Sequence, residues 1–400
     1  MDIKIYVKRV KKDLFENILP FWIKHTTDME YGGYYGHINN KLKIDACSPK
    51  GSIQHSRILW TYSSAYRLYG DPEYLSAAKH AFEFLTRHMI DEDYGGVYML
   101  TDRSGNTYDD KKFCYAHAFA VYGLSEYYRA VKSEEALKAA IEIYTVMQTF
   151  FHDKKNKGYI EAYERNWSPT DNFILGVDHQ NEKKSMNNHL HVMEAYTNLF
   201  RVWKNEELKA NLKELIEITY DYILDNETYH FNHFFDEDWN VKSDSYTFGH
   251  DIEGSWLILE AAEVLGYENI IDKVRDIAVK MAGAVYTEGI ESDGSIFYEG
   301  SKKGIINNEK HWWPQAEAVV GFLNAYQISG DEKFLAASLN CWDYIENYII
   351  DKKYGEWFWG IGINNSKLDM EKGGPWKTPY HNGRACMEFL ERCKKLEKIK

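Results

Sequence analysis

Two stretches of the chain place an imidazole where it could move a proton: "TFGHDIEGSW" at 247–256 and "TPYHNGRACMEF" at 378–389. In each, a threonine suited to capping a helix is followed three residues later by a histidine, His250 or His381, and Pro379 suits a first helical position. The exposed N–H end of a helix favours neutral imidazole over imidazolium, so both rings would be bases near neutral pH. Glu253 falls one turn beyond His250 on the same face, where it would fix that ring's tautomer. A lone histidine at a helix start is more often a capping or hydrogen-bonded residue than a catalyst. Two at matching positions, with further polar groups nearby, point to a pocket.

Four other apolar helices begin in the same polar or aromatic way: "SIQHSRILW" (52), "KFCYAHAFAVYGL" (112), "SMNNHLHVMEAY" (185) and "KHWWPQAEAV" (310). Across all six starts the candidate groups are Arg57, Tyr115, His117, Asn187, His191, His250, Glu253, Trp312, Trp313, Glu317, His381 and Arg384. His189 and His191 are two residues apart and point to different helix faces, which argues against a zinc site. Trp312 and Trp313 are adjacent, so one of them belongs to the core. Paired histidines with neither metal nor organic cofactor suit removal and return of a proton beside a carbonyl.

A repeat must position these groups. Glycine and aromatic residues recur at "YGGYYG" (31), "YGGVYM" (94), "KGYIEAY" (157), "HFNHFFD" (230), "DGSIFYEG" (293) and "YGEWFWG" (354), spaced by about 60 to 75 residues. Between them lie short polar turns leading into alanine- and leucine-rich helices, as in "GDPEYLSAA" (70), "KSEEALKAA" (132), "KNEELKANL" (204) and "GDEKFLAAS" (330). One unit therefore reads hairpin, helix, tight turn, helix. The first helix, about 4 to 26, and the last, about 379 to 397, lack partners in sequence and would complete a sixth pair in space. The expected fold is all-α, an (α/α)6 barrel with short hairpins and long loops on the active-site side. No proline- or serine-rich stretch interrupts the repeat, so residues 1–400 are expected to form a single catalytic domain.

The net charge of -13 offers no surface for neutralising phosphates, which argues against nucleic acid as a partner. No apolar run approaches a membrane span, and the charged start "MDIKIYVKRVKKD" lacks the apolar core of a signal peptide. Five scattered cysteines without a C-x-x-C arrangement fit thiols kept reduced in a soluble, cytoplasmic protein; no residue pattern sets the oligomeric state, and a monomer is the expectation. Aromatic residues reach 16%, which suits sugar rings as well as ordinary cores. There is no G-x-G-x-x-G, P-loop, G-x-S-x-G or H-E-x-x-H signature.

The combination of "YGGYYG", "SRILWTYSSAY", "MNNHLHVMEAYTNLFRVW", "GHDIEGSWLILEAA", "WWPQAEAVVGFLNAYQ" and "WKTPYHNGRACMEF" runs nearly end to end. It resembles the N-acylglucosamine 2-epimerase superfamily, and within it the cellobiose 2-epimerase group. The resemblance implies an (α/α)6 barrel acting on a reducing-end sugar without cofactor or metal. It matches His250 and His381 to two acid/base histidines and His191 to a third that assists ring opening or holds the open-chain oxygen. Arg57, Tyr115, Asn187, Glu253, Trp313 and Trp376 match sugar-contacting or supporting positions. The implied reaction removes the C2 proton, passes through a cis-enediolate and inverts C2, exchanging glucose and mannose units of β-1,4-linked disaccharides.

Relatives acting on monosaccharides, and aldose–ketose isomerases, share the enediol step. The stretch "SIFYEGSKKGIINNE" at 295–309 has no tryptophan to stack a second sugar, which leaves Tyr298 or Phe297 for that task. Two further readings stay open. A glycoside hydrolase on the same barrel would need two carboxylates, with Glu253 and Glu317 the candidates. A non-catalytic sugar-binding toroid would use the aromatic mouth alone.

Overall fold

A computed structural model describes residues 2–176 and 179–399. An N-terminal helix runs through α1 (Ile3–Asp13), a π turn (Leu14–Ile18) and α2 (Leu19–Thr26). Helix pairs follow: α3 (Ser52–Tyr69) with α4 (Pro72–Phe84), α5 (Cys114–Val131) with α6 (Glu134–Val146), and α7 (Met186–Val202) with α8 (Glu206–Ile218). Then come α9 (Phe248–Leu265) with α10 (Glu268–Ala284), α11 (Trp312–Ser329) with α12 (Glu332–Tyr344), and the closing helix α13 (Tyr380–Ile399).

The odd-numbered helices from α3 to α13 pack side by side in ring order, and α13 returns to α3. The remaining helices form the outer layer, and α1 packs on α13 to complete the sixth pair. The expected (α/α)6 barrel is the observed fold. None of its helices is long and apolar enough to cross a membrane among the described residues.

The sequence explains which ring is inner. Helices α3, α5, α7, α9 and α11 are buried nearly all round through their first 13 or 14 residues, whereas α4, α6 and α8 bury one stripe. At the tight turns Gly70, Gly266 and Gly330 adopt left-handed φ values of 75°, 84° and 71°, and Lys132 takes the same role at 58°. The outer helices restart on capping side chains: Asp71, Ser133, Asn205 and Asp331 each accept from a backbone N–H of the next turn.

At the other end, hairpins form where the glycine-aromatic segments lie, but with very short strands. Each is closed by an antiparallel bridge: Thr27 with Tyr34, Ile90 with Val97, His152 with Tyr159, Leu224 with Phe231, Ile290 with Ile296, and Ile350 with Trp357. One polar residue near the start of each inner helix latches such a hairpin. His55, His117 and His189 donate from Nδ1 to the carbonyl four residues earlier, at 2.8, 2.7 and 2.7 Å. Their Nε2 atoms accept from the N–H of Tyr34, Val97 and Tyr159 at 2.9, 3.1 and 2.8 Å. A carbonyl only accepts and a backbone N–H only donates, so the tautomer of each ring is determined. Asp251 and Gln315 accept from the N–H of Phe231 and Ile296 in the same way, and Asn382 donates to Glu356 beside Trp357.

His117, a candidate site residue by its place at a helix start, is therefore a structural latch, fully buried and not part of the cavity described below. Burial lowers its pKa to about 3. An unfolded imidazole takes up a proton below about pH 6.5, the folded one only near 3, so this latch loses stability as pH falls through that window. His117→Gln copies the Gln315 latch and is expected to fold. Relative to it, the wild type should lose about 1.4 kcal/mol of stability per pH unit below about pH 6.5. His117→Ala strands the Val97 N–H and should cost about 2–4 kcal/mol at every pH. Denaturant titrations at pH 7 and pH 5 check both, and parallel pH dependences for wild type and His117→Gln would contradict the latch.

Candidate active site

Positions counted from the latch place the chemistry. One residue before it stand His250 on α9 and His381 on α13, so the two candidate bases are equivalent in the repeat. Two residues before it stand Tyr115, Asn187 and Trp313, and two after it stand Arg57, Phe119, His191, Glu253, Glu317 and Arg384. These levels form the top and floor of a cavity of about 270 Å³ at the N-terminal mouth of the inner helices. All nine residues singled out for the site line it: His191, His250, His381, Arg57, Tyr115, Asn187, Glu253, Trp313 and Trp376, the last from the loop before α13.

His250 and His381 both pack against Trp313, with ring centroids 4.7 and 5.6 Å from the indole. Gly249 permits this arrangement, because a Cβ there would come within 2.5 Å of the indole. Arg57 donates to the Tyr115 hydroxyl at 2.8 Å and to the Trp376 carbonyl at 3.0 Å, with its guanidinium over Phe119 at 4.3 Å. Tyr115 meets the His191 ring edge-on at 5.0 Å. Three buried polar atoms of this lining, Arg57 Nε, Asn187 Oδ1 and Glu253 Oε2, have no hydrogen-bond partner among the described residues. Groups left unpaired in a pocket are suited to a polar ligand.

Beneath the cavity, Arg384 reaches three carboxylates. It donates to Glu253 at 2.5 Å and to Glu317 at 2.6 Å, and also bonds Glu194 and the Tyr380 hydroxyl. Two of these carboxylates hold the histidines above them: His381 Nδ1 donates to Glu317 at 2.7 Å, and His191 Nδ1 to Glu194 at 2.9 Å. Such a bond leaves Nε2 as the free, basic nitrogen. Burial would raise Glu194, but Arg384, His191 and Tyr380 bring its pKa down to about 2. Glu253 is pushed well up, by burial first and then by the neighbouring Glu317 charge.

Burial pulls the pKa of His250 and His381 well below the usual 6.5; neighbouring histidines add to this at His250, and Arg57 and Arg384 at His381. Glu253, Glu317 and His381 bring ligand-type atoms within 4.8 Å of one another, a spacing a metal ion would accept. Arg384 already supplies the positive charge there, donating to both carboxylates.

Several expectations change. Glu253 does not hold His250. It bonds Arg384 and lies 3.8 Å from His381, while His250 Nδ1 meets the Thr247 hydroxyl at 2.5 Å. Thr247 precedes α9 but makes no side-chain cap. Helix α13 begins at Tyr380, so Pro379 stands just outside it, and the Thr378 hydroxyl accepts from the Tyr380 N–H at 3.4 Å. Trp312 is buried against Trp359 at 4.4 Å, as expected of one of the adjacent tryptophans, yet it too borders the cavity beside Trp313. Tyr298 reaches the cavity, but Phe297 lies outside its lining, under Lys310. Glu194 and Tyr380 were not anticipated. Glu194 is visible only as a carboxylate three residues beyond His191, the spacing at which it can take Nδ1.

Residues 33–385 match the family model of N-acylglucosamine 2-epimerase (GlcNAc 2-epimerase). Cellobiose 2-epimerase of Bacteroides fragilis is 42% identical over 389 residues, covering 97% of this chain and 99% of that protein. Cellobiose 2-epimerase of Ruminococcus albus is 41% identical over 388 residues, covering 96% and 98%. The solved structure of cellobiose 2-epimerase from Bacillus thermoamylovorans superposes with a TM-score of 0.93 at 40% identity, covering 97% of this chain and all of that one. On these matches, which run nearly the full length, the chain belongs to the N-acylglucosamine 2-epimerase family.

Proposed function

We propose that the protein is a cofactor-independent sugar 2-epimerase that exchanges glucose and mannose units at the reducing end of β-1,4-linked disaccharides such as cellobiose and lactose. The observation that carries this is the pair His250 and His381, equivalent in the repeat, both packed against Trp313 and lining one cavity. The relatives named for cellobiose support the disaccharide, and the cavity is also lined by Tyr298, Trp359 and Phe234, faces suited to a second ring. The nine residues matched to the site come from helices spread along the chain and from the loop before α13, which supports a single catalytic domain.

Once the sugar ring opens, the C1 aldehyde acidifies the C2 proton. One histidine takes that proton through Nε2, and the electrons pass to the C1 oxygen as a cis-enediolate. The other histidine, present as imidazolium, delivers its Nε2 proton to the opposite face of C2 and is left neutral, so the two rings exchange protonation states in each turnover. Arg57, Asn187 and His191 surround the oxygen that carries the developing charge, and the inner helices turn their positive ends to this mouth. A hydrolase would need two free carboxylates across the scissile bond. Glu317 lies below the cavity and, like Glu253, is bonded to Arg384, so that pair is not free for hydrolysis.

Cellobiose incubated with the enzyme in deuterated water should keep its chain length, gain deuterium at C2 and show signals of the new epimer by NMR. Release of glucose instead would favour hydrolysis. His250→Ala and His381→Ala should each lower C2 exchange by about 10²-fold or more, and full activity in either variant would remove it from the mechanism. The histidine that takes the C2 proton acts as a neutral ring, and the pKa of each candidate lies below 6.5. Exchange should therefore be flat above neutral pH on the base side of the profile and fall only as acid protonates the rings; an acid limb above pH 7 would contradict this.

A further inference from the structure

The three cavity histidines are not held alike. His191 and His381 donate Nδ1–H to carboxylates, Glu194 and Glu317. His250 meets a neutral hydroxyl, Thr247 Oγ1 at 2.5 Å. Thr247 is placed by His233, whose Nε2 accepts the Thr247 backbone N–H at 3.2 Å. That threonine stands at the N-cap of α9, yet its side chain makes no bond to the helix backbone, so its hydroxyl serves the ring instead of the helix. It is also buried, at 7% exposure, where a hydroxyl without a partner would be costly.

Among the described residues, no carboxylate is bonded to the His250 ring. His233 lies edge-on at 5.6 Å, and His179, His191 and His381 face it from the loop before α7, from α7 and from α13. Arg57 and Glu371 line the cavity, and Glu253, one turn along α9, is bonded to Arg384.

We propose that Thr247 is a positioning residue that sets the proton-transfer character of His250: its oxygen accepts Nδ1–H, which turns a basic Nε2 toward the sugar. A hydroxyl orients the ring as firmly as a carboxylate does but stabilises the imidazolium less. Once protonated at Nε2, His250 is then the stronger acid of the catalytic pair and the readier proton donor, and His381, backed by Glu317, is the partner better able to hold a proton taken from C2. The two faces of C2 are thereby chemically unequal although the two histidines occupy the same place in the repeat. This inference rests on the 2-epimerase reading.

The test is the pH profile of C2 deuterium exchange with cellobiose in wild type, Thr247→Ser, Thr247→Val and Thr247→Asp. Wild-type exchange establishes the epimerase reading first; if the wild type exchanges nothing, that reading falls before Thr247 is at issue. Given exchange, Thr247→Ser should stay within about twofold of wild type, and Thr247→Val should lose about tenfold or more in kcat with little change in KM. Thr247→Asp, which puts a carboxylate behind the ring, should stabilise the His250 imidazolium and move the alkaline limb of epimer formation, followed in the same spectra, up by about one pH unit or more. In Thr247→Val the ¹⁵N shifts of His250 should show loss of the single Nδ1–H tautomer. Wild-type activity in Thr247→Val, or an alkaline limb of epimer formation in Thr247→Asp that stays where the wild type has it, overturns the proposal. If Thr247→Asp does not fold, the serine and valine pair with the ¹⁵N shifts decides alone, and a valine variant that keeps the single tautomer overturns it.

Discussion

The site depends on one buried cation. Arg384 sits beneath the cavity with Glu194, Glu253 and Glu317 around it, and two of those carboxylates orient histidines of the layer above. A guanidinium removed from water is tolerable only with such partners, and three carboxylates packed this closely are tolerable only around such a cation. The cluster therefore stands or falls as a unit. It ties α7, α9, α11 and α13 at one level, and the rings above inherit their orientation from it.

The barrel turns this local cluster into a chamber. Six inner helices present their N-terminal ends to one mouth, and each is pinned to a hairpin by a residue of its first turn. Because the pin falls at the same place in every repeat, the residues around it fall at the same depths. Inward-facing chemistry from six distant segments is thereby stacked in layers. Burial then does the electrostatic work: it keeps imidazoles neutral, and thus basic, under conditions where exposed ones would begin to protonate. The helix ends favour the negative charge that an enediolate would carry.

Much of this is legible in the residues. The glycine-aromatic hairpins and the polar helix starts recur often enough to reveal both rings of helices and the mouth on which His250 and His381 converge. What escapes is pairing across the ring. Arg384 and Glu194 stand 190 residues apart, and nothing local marks them as partners. Glu253 was paired with His250 because the two share a helix face, but a stronger cation from α13 claims it. His117 shows the reverse case, a helix-start histidine whose hydrogen bonds are entirely structural. Its copies at His55 and His189 sit at one register, and counting two residues past that register exposes Arg57, His191, Glu253, Glu317 and Arg384 as a single layer.

The central claim is that two imidazoles reach opposite faces of one carbon. A crystal structure with an open-chain alditol of cellobiose bound tests it most directly. The account predicts C2 lying between His250 Nε2 and His381 Nε2, one on each face, at about 3–3.5 Å from each. Both nitrogens on the same face of C2, or either one out of reach of it, would contradict the account.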